Sequence, residues 1–117
     1  MDFEIVFYKE SSDKSPIEEF LDELEKKNTA LYDKTLKGLE RLKSSAYHKE
    51  PLSKHLERGL WELRIRLGNN IVRIIYTFDK VQVIILLHAF IKKRQKTPAS
   101  DLEMARKRLK YYKGEVN

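Results

Sequence analysis

Trp61-Glu-Leu-Arg-Ile-Arg-Leu67, Gly68-Asn-Asn70 and Ile71-Val-Arg-Ile-Ile-Tyr-Thr-Phe78 form the stretch whose reading decides the fold. Apolar side chains alternate with polar ones in the first run, and the second is mostly apolar. Both are rich in the β-branched and aromatic residues that suit strands. Gly68-Asn69-Asn70 is turn chemistry between them, so the pair is predicted to be an antiparallel hairpin. Alternation sorts the side chains. Trp61, Leu63, Ile65 and Leu67 share one face, and Glu62, Arg64 and Arg66 the other. On the second strand Val72, Ile74, Tyr76 and Phe78 form the more apolar set, which leaves Arg73 with Ile71, Ile75 and Thr77. Three arginines inside would-be sheet core are not chosen for packing. Arginine stays charged and presents a planar fork of donors that matches phosphate. Pairing across the turn is expected to set Arg66 beside Arg73, where a bound phosphate would offset their repulsion. The competing reading is a solvent face on which Glu62 neutralises one arginine.

Outward from this hairpin, Val81 onward is apolar at nearly every position, so a third strand is predicted over 81–91, covered on both faces. Asp79-Lys80 supplies its turn. Thr97-Pro98 opens a last helix with Leu102, Ala105, Leu109 and Tyr112 on its apolar face. Its N-terminus, close to Lys92, Lys93, Arg94 and Lys96, would add free N–H groups favourable to phosphate. Before the hairpin, Phe3 to Tyr8 alternates as a strand. Ser15-Pro16-Ile17-Glu18 is a capping box with proline at the first helical position. A helix to about Lys27 and a second one capped by Asn28 or Thr29 are predicted to pack as a hairpin. The second carries Leu31, Leu39 and Leu42 and fades at Ser44-Ser45. Residues 47–59 read as a connecting loop. The order β-α-α-β-β-β-α makes an α+β domain over residues 1–117, with helices packed on a small, twisted, mainly antiparallel sheet.

Composition narrows the function. The net charge of +6 is uneven: residues 1–53 hold 9 Lys/Arg against 12 Asp/Glu, and residues 54–117 hold 15 against 6. A basic half points to an anionic partner. There is no cysteine, which excludes disulfides and thiolate metal sites. The acidic start is unlike a signal peptide, and no apolar run is long enough to span a bilayer, so a soluble cytoplasmic protein is expected. His48, His55 and His88 are widely spaced and show no metal-ligand pattern; His88, inside an apolar strand, reads as a satisfied core histidine. Tyr111 could stack on bases, while Tyr112 reads as core. No glycine-rich phosphate loop, catalytic triad or carboxylate pair is visible, and no cofactor or metal is expected.

Gly59-Leu-Trp-Glu-Leu-Arg, Arg73-Ile-Ile-Tyr, Leu87-His-Ala-Phe-Ile-Lys-Lys-Arg-Gln-Lys-Thr-Pro98 and Ala105-x-x-Arg108 resemble the HigB-like, phage-related branch of the RelE/ParE toxin superfamily. The resemblance spans nearly the whole chain and implies the RelE/ParE-like fold. It implies a toxin of a type II toxin-antitoxin system that acts as a metal-independent endoribonuclease on mRNA in the ribosomal A site. It also implies a hetero-oligomer with a HigA-like helix-turn-helix antitoxin, which would carry the complex to operator DNA. Arg64 and Arg66 match the paired basic positions of the family, Arg73 the arginine on the following strand, and Lys93 or Lys92 the basic position after the last strand. On this reading Arg73, Lys93 and Arg66 are catalytic, and Arg64, Lys92, Arg94 and Lys96 hold RNA phosphates. The reaction implied is attack of a 2′-hydroxyl on the adjacent phosphate, with a basic residue among like charges as general base. Two alternatives are a ParE-type gyrase inhibitor on the same fold, with no nuclease activity, and a non-catalytic nucleic-acid-binding module.

Overall fold

Local capping chemistry starts both helices of the first layer. The computed structural model describes residues 2–10, 15–92 and 97–114. Helix α1 (Pro16–Lys27) begins at Ser15, whose hydroxyl accepts from the Glu18 N–H at 3.3 Å. Helix α2 (Thr29–Leu42) follows after one residue, Asn28. Asn28 ends α1 through its own N–H to the Leu24 carbonyl and starts α2 by accepting from the Leu31 N–H. That shared cap forces the tight reversal expected from the sequence. Ile17, Leu21 and Leu24 of α1 and Leu31, Leu39 and Leu42 of α2 pack into one apolar layer. Gly38 lets α2 approach the sheet closely: a Cβ there would lie 2.2 Å from Ile65 Cδ1.

Among the described residues the sheet has five strands: β1 (Glu4–Phe7), β2 (Ser53–Glu57), β3 (Leu60–Leu67), β4 (Asn70–Asp79) and β5 (Val83–Lys92). Their spatial order is β1-β5-β4-β3-β2. Among these strands the β1–β5 pair is parallel and the other pairs are antiparallel. Helices α1 and α2 cover one face over Leu63, Ile65, Val72, Ile74, Tyr76, Ile84 and Leu86. Helix α3 (Ala99–Tyr112) covers part of the other face over Leu60, Ile75, Ile85 and Leu87. This is the α+β architecture that the sequence pattern predicts. No helix among the described residues is long and apolar enough to cross a membrane.

Three details differ from expectation. Residues 47–59, expected as loop, contain strand β2. Its sequence, Ser-Lys-His-Leu-Glu, lacks apolar alternation because it is an edge strand, formed by pairing with β3 and not by its own burial pattern. Ser53 is its buried anchor, accepting from the Tyr76 hydroxyl at 3.0 Å. The third meander strand starts at Val83, not at 81. Lys80 and Gln82 have positive φ, so the turn runs through Val81, which is 85% exposed. Tyr112, expected in the core, is 39% exposed. Its hydroxyl instead donates to Asp79 at 2.6 Å, and that bond to a carboxylate pushes the phenol up to about 12.

The β4–β5 register carries an irregularity that decides which β5 side chains share a face with the arginines. Ile75 pairs with His88, but the next residue, Tyr76, pairs with Leu86. Leu87 is therefore the extra residue of a β-bulge. One extra residue reverses side-chain parity along the rest of the strand. Ile84 and Leu86 face α1 and α2, whereas His88, Phe90 and Lys92 face the α3 side.

Candidate functional site

Because of that parity reversal, three rungs of side chains cross β3, β4 and β5 on the α3 side of the sheet. Glu62, Ile75 and His88 form the first, Arg64, Arg73 and Phe90 the second, and Arg66, Ile71 and Lys92 the third. Neighbouring strands lie about 4.8 Å apart. Arg66 and Lys92 therefore stand roughly 10 Å apart at the backbone, a separation that two long side chains can close around one phosphate. The sheet face thus grades from acid and histidine at the covered end to cations at the open end.

The register corrects one expectation. Arg73 lies directly opposite Arg64, and Arg66 lies opposite Ile71. Nor do the three arginines share one solvent face. Arg66 is exposed, the Arg64 side chain is 23% exposed, and Arg73 is 1% exposed. The buried arginine is tolerated because Glu62, itself fully buried, lies beside it. Glu62 Oε1 accepts from Arg64 Nε at 3.0 Å and from Arg73 Nη1 at 3.2 Å. Its Oε2 accepts from the Thr97 hydroxyl at 2.7 Å. One carboxylate therefore orients two guanidinium groups and fastens the segment that leads into α3. The sequence signal for it was present, a glutamate two residues before Arg64 on the same strand face. Its reach to Arg73 and Thr97 depends on the fold.

The closed end of the face is held by α3. Arg108, 11% exposed in its side chain, donates through Nη1 to the Leu87 carbonyl at 2.9 Å and to His88 Nδ1 at 3.1 Å. It also pairs with Glu10 at 3.5 Å and lies 5.7 Å from the Tyr8 ring centre. Arginine offers only donors, so His88 Nδ1 is an acceptor here. The Nε2–H then donates to Asp101 at 2.7 Å. Burial above all, with the Arg108 charge adding to it, holds the His88 imidazole below its ordinary range, against an upward pull from Asp101. His88 is thus the satisfied histidine expected from its setting, and it is committed to the α3 junction. Arg108 also supplies a partner for the bulge carbonyl, so α3 secures the backbone irregularity that turns Lys92 toward the arginines.

Of the remaining predicted residues, Lys92 is half-buried at the end of β5. Lys93, Arg94 and Lys96 lie outside the described residues. Among the described residues no group of three or more His, Asp or Glu is placed to hold a metal ion. The sequence reading missed a set of cations on the other side of the sheet edge. Lys34, Lys37 and Arg41 of α2, together with Lys49, line a groove that continues to Arg64 and Arg66. They belong to the acidic half of the chain, so charge counting along the sequence hid them.

No curated protein matches this chain. The family described as Phage derived protein Gp49-like (DUF891) matches residues 19–110, from within α1 to near the end of α3, and so includes the three rungs and the Glu62 network. That family is associated with toxins of toxin-antitoxin systems. On a match that spans most of its length, the chain belongs to the phage-derived Gp49-like family, a family of RelE/HigB-type toxin-like proteins.

Proposed function

We propose that this protein is the toxin of a type II toxin-antitoxin system and cleaves mRNA in the ribosomal A site, held inactive by a HigA-like helix-turn-helix antitoxin. The observation that carries the reading is the graded sheet face, with exposed and half-exposed cations at its open end set over a buried Arg73–Glu62 pair. A surface that only needed solubility would not bury an arginine and a carboxylate at the centre of a sheet. The burial makes sense as a rigid support that aims Arg64 and keeps positive potential beneath a bound phosphate.

In the proposed reaction the 2′-oxygen of a ribose attacks the adjacent phosphorus while the bond to the 5′-oxygen breaks. A basic side chain of the cation cluster takes the proton of the 2′-hydroxyl, water gives one to the leaving 5′-oxygen, and the products are a 2′,3′-cyclic phosphate and a 5′-hydroxyl. Arg66 and Arg64 bind the phosphate from β3 and Lys92 from β5, and Lys93 is assigned to the same phosphate. Arg73 adds charge from below. Arg94 and Lys96 are assigned to flanking phosphates. His88 and Glu62 have their hydrogen-bonding atoms occupied. The site therefore works by holding an in-line geometry and stabilising charge on the phosphate oxygens.

The test is translation in vitro with primer extension on the message. Codon-linked cuts bearing 5′-hydroxyl ends, made only with ribosomes, support the reading. Gyrase-dependent DNA breaks without RNA cuts would assign the protein to the ParE-type activity. Arg66→Ala removes an exposed side chain, so it should lower cleavage about a hundredfold with an unchanged melting temperature.

A further inference from the structure

Strand β2 begins at Ser53, opposite Leu63, so among the described residues no strand lies beyond the Arg64–Leu67 half of β3. The last backbone bond on that edge runs from the Arg64 N–H to the Leu52 carbonyl. Past it, the Arg66 carbonyl takes the Lys34 ammonium instead of a strand partner. A notch follows, with the β3 edge as its floor, α2 as one wall and residues 46–52 as the other. Lys34, Lys37 and Arg41 stand on the α2 wall and Lys49 on the other, against Asp33 and Glu50. The notch is continuous with Arg64 and Arg66. At its far end Tyr47 is 41% exposed, and the Arg41 guanidinium lies 5.9 Å from its ring centre.

We infer that this notch is a second nucleic-acid subsite, a track that takes the single strand away from the arginine clamp around the sheet edge, with Tyr47 as a base-stacking ledge at its end. The inference rests on the reading of the clamp as an RNA site and adds the path of the flanking nucleotides. Three observations select single-stranded RNA over an acidic peptide. The cations are strung along a groove and lead away from the clamp, as a repeating phosphate chain requires. The exposed tyrosine is a flat apolar surface beside a guanidinium, an arrangement that accepts any base by stacking. The β3 edge, which an added peptide strand would need, is already capped by Lys34. Lys37, Arg41 and Lys49 are all exposed, so none of them is needed to hold the fold.

Fluorescence anisotropy with a labelled unstructured dodecamer and a labelled dinucleotide, over a salt series, tests the track. The triple variant Lys37→Ala/Arg41→Ala/Lys49→Ala should weaken binding of the dodecamer and reduce its salt slope by about 2, with binding of the dinucleotide unchanged. Tyr47→Ala should weaken the dodecamer roughly tenfold without changing the slope, because stacking releases no counterions. Wild-type dodecamer affinity in both variants, with loss in Arg64→Ala/Arg66→Ala, would remove the track and leave the clamp standing. Wild-type affinity in all three would remove the RNA reading itself. Loss of oligoglutamate binding in the triple variant, with RNA binding intact, would reassign the notch to an acidic peptide and overturn the proposal.

Discussion

The Glu62–Arg73 pair can be tested by removing each member and then both. Glu62 is fully buried and Arg73 is 1% exposed, with 3.2 Å between Oε1 and Nη1. Glu62→Met takes away the carboxylate that Arg73 and Arg64 share and leaves the guanidinium of Arg73 in the sheet. Breaking a buried pair on one side costs about 3–5 kcal/mol. At roughly 4 °C per kcal/mol for a domain of this size, the melting temperature should fall by about 12–20 °C. Arg73→Met should cost less, because Arg64 and the Thr97 hydroxyl still hold the carboxylate. The double variant Glu62→Met/Arg73→Met replaces both charges by apolar side chains, a change that is commonly neutral or stabilising, so it should recover most of the loss. Urea unfolding followed by circular dichroism on the four proteins gives the coupling energy of the cycle. A Glu62→Met protein within about 1 kcal/mol of wild type would show that the carboxylate does not hold the arginines. A double variant no more stable than Glu62→Met would show that the loss came from packing and not from the missing counter-charge. Either result would refute the support role given to this pair.

Other consequences follow from the same structure. Gly38→Ala should lose about 1 kcal/mol, because overpacking against Ile65 outweighs the gain in helix propensity; Ile65→Val removes the clashing Cδ1 and should make the double variant more stable than Gly38→Ala alone by thermal melting. His88 is depressed in the folded state, so the unfolded chain takes up its proton first as pH falls below about 6.5. Stability should therefore be unaffected by this group above that pH and decline on acidification until the folded imidazole also protonates; His88→Gln should flatten that part of a melting-temperature profile. Arg108→Met removes the donor to the Leu87 carbonyl and to His88 Nδ1. It should destabilise by about 1–3 kcal/mol and raise the His88 titration midpoint seen by NMR, since the nearby cation is gone.

Much of this architecture is legible in the chain. Ser15, Pro16 and Asn28 state where the helical hairpin begins and turns, and the alternation from Trp61 to Leu67 names the face that meets α2. The apolar run in β5 announces cover on both sides, which α1 and α3 provide. Strand β2 was not legible, because an edge strand made of Ser-Lys-His-Leu-Glu owes its conformation to a neighbour's free hydrogen bonds. Tyr112 was misread because helical spacing places it on the apolar stripe, whereas the sheet beneath offers it Asp79 at that point.

The arginines divide the same way. Residue type alone determined that Arg64, Arg66 and Arg73 would be charged, forked donors interrupting a sheet, and parity alone grouped Glu62 with Arg64 and Arg66. Only the tertiary structure decided that Arg73 sits buried opposite Arg64, bound to Glu62, while Arg66 stays outside. Only it decided that Lys92 joins them. Side chains in a strand alternate with a period of two, so without the extra residue at Leu87 that lysine would point to the helical-hairpin face. The bulge is stabilised by Arg108, on a helix twenty-one residues further along the chain. A pattern read locally cannot contain that contact, and the contact sets which cations share the face.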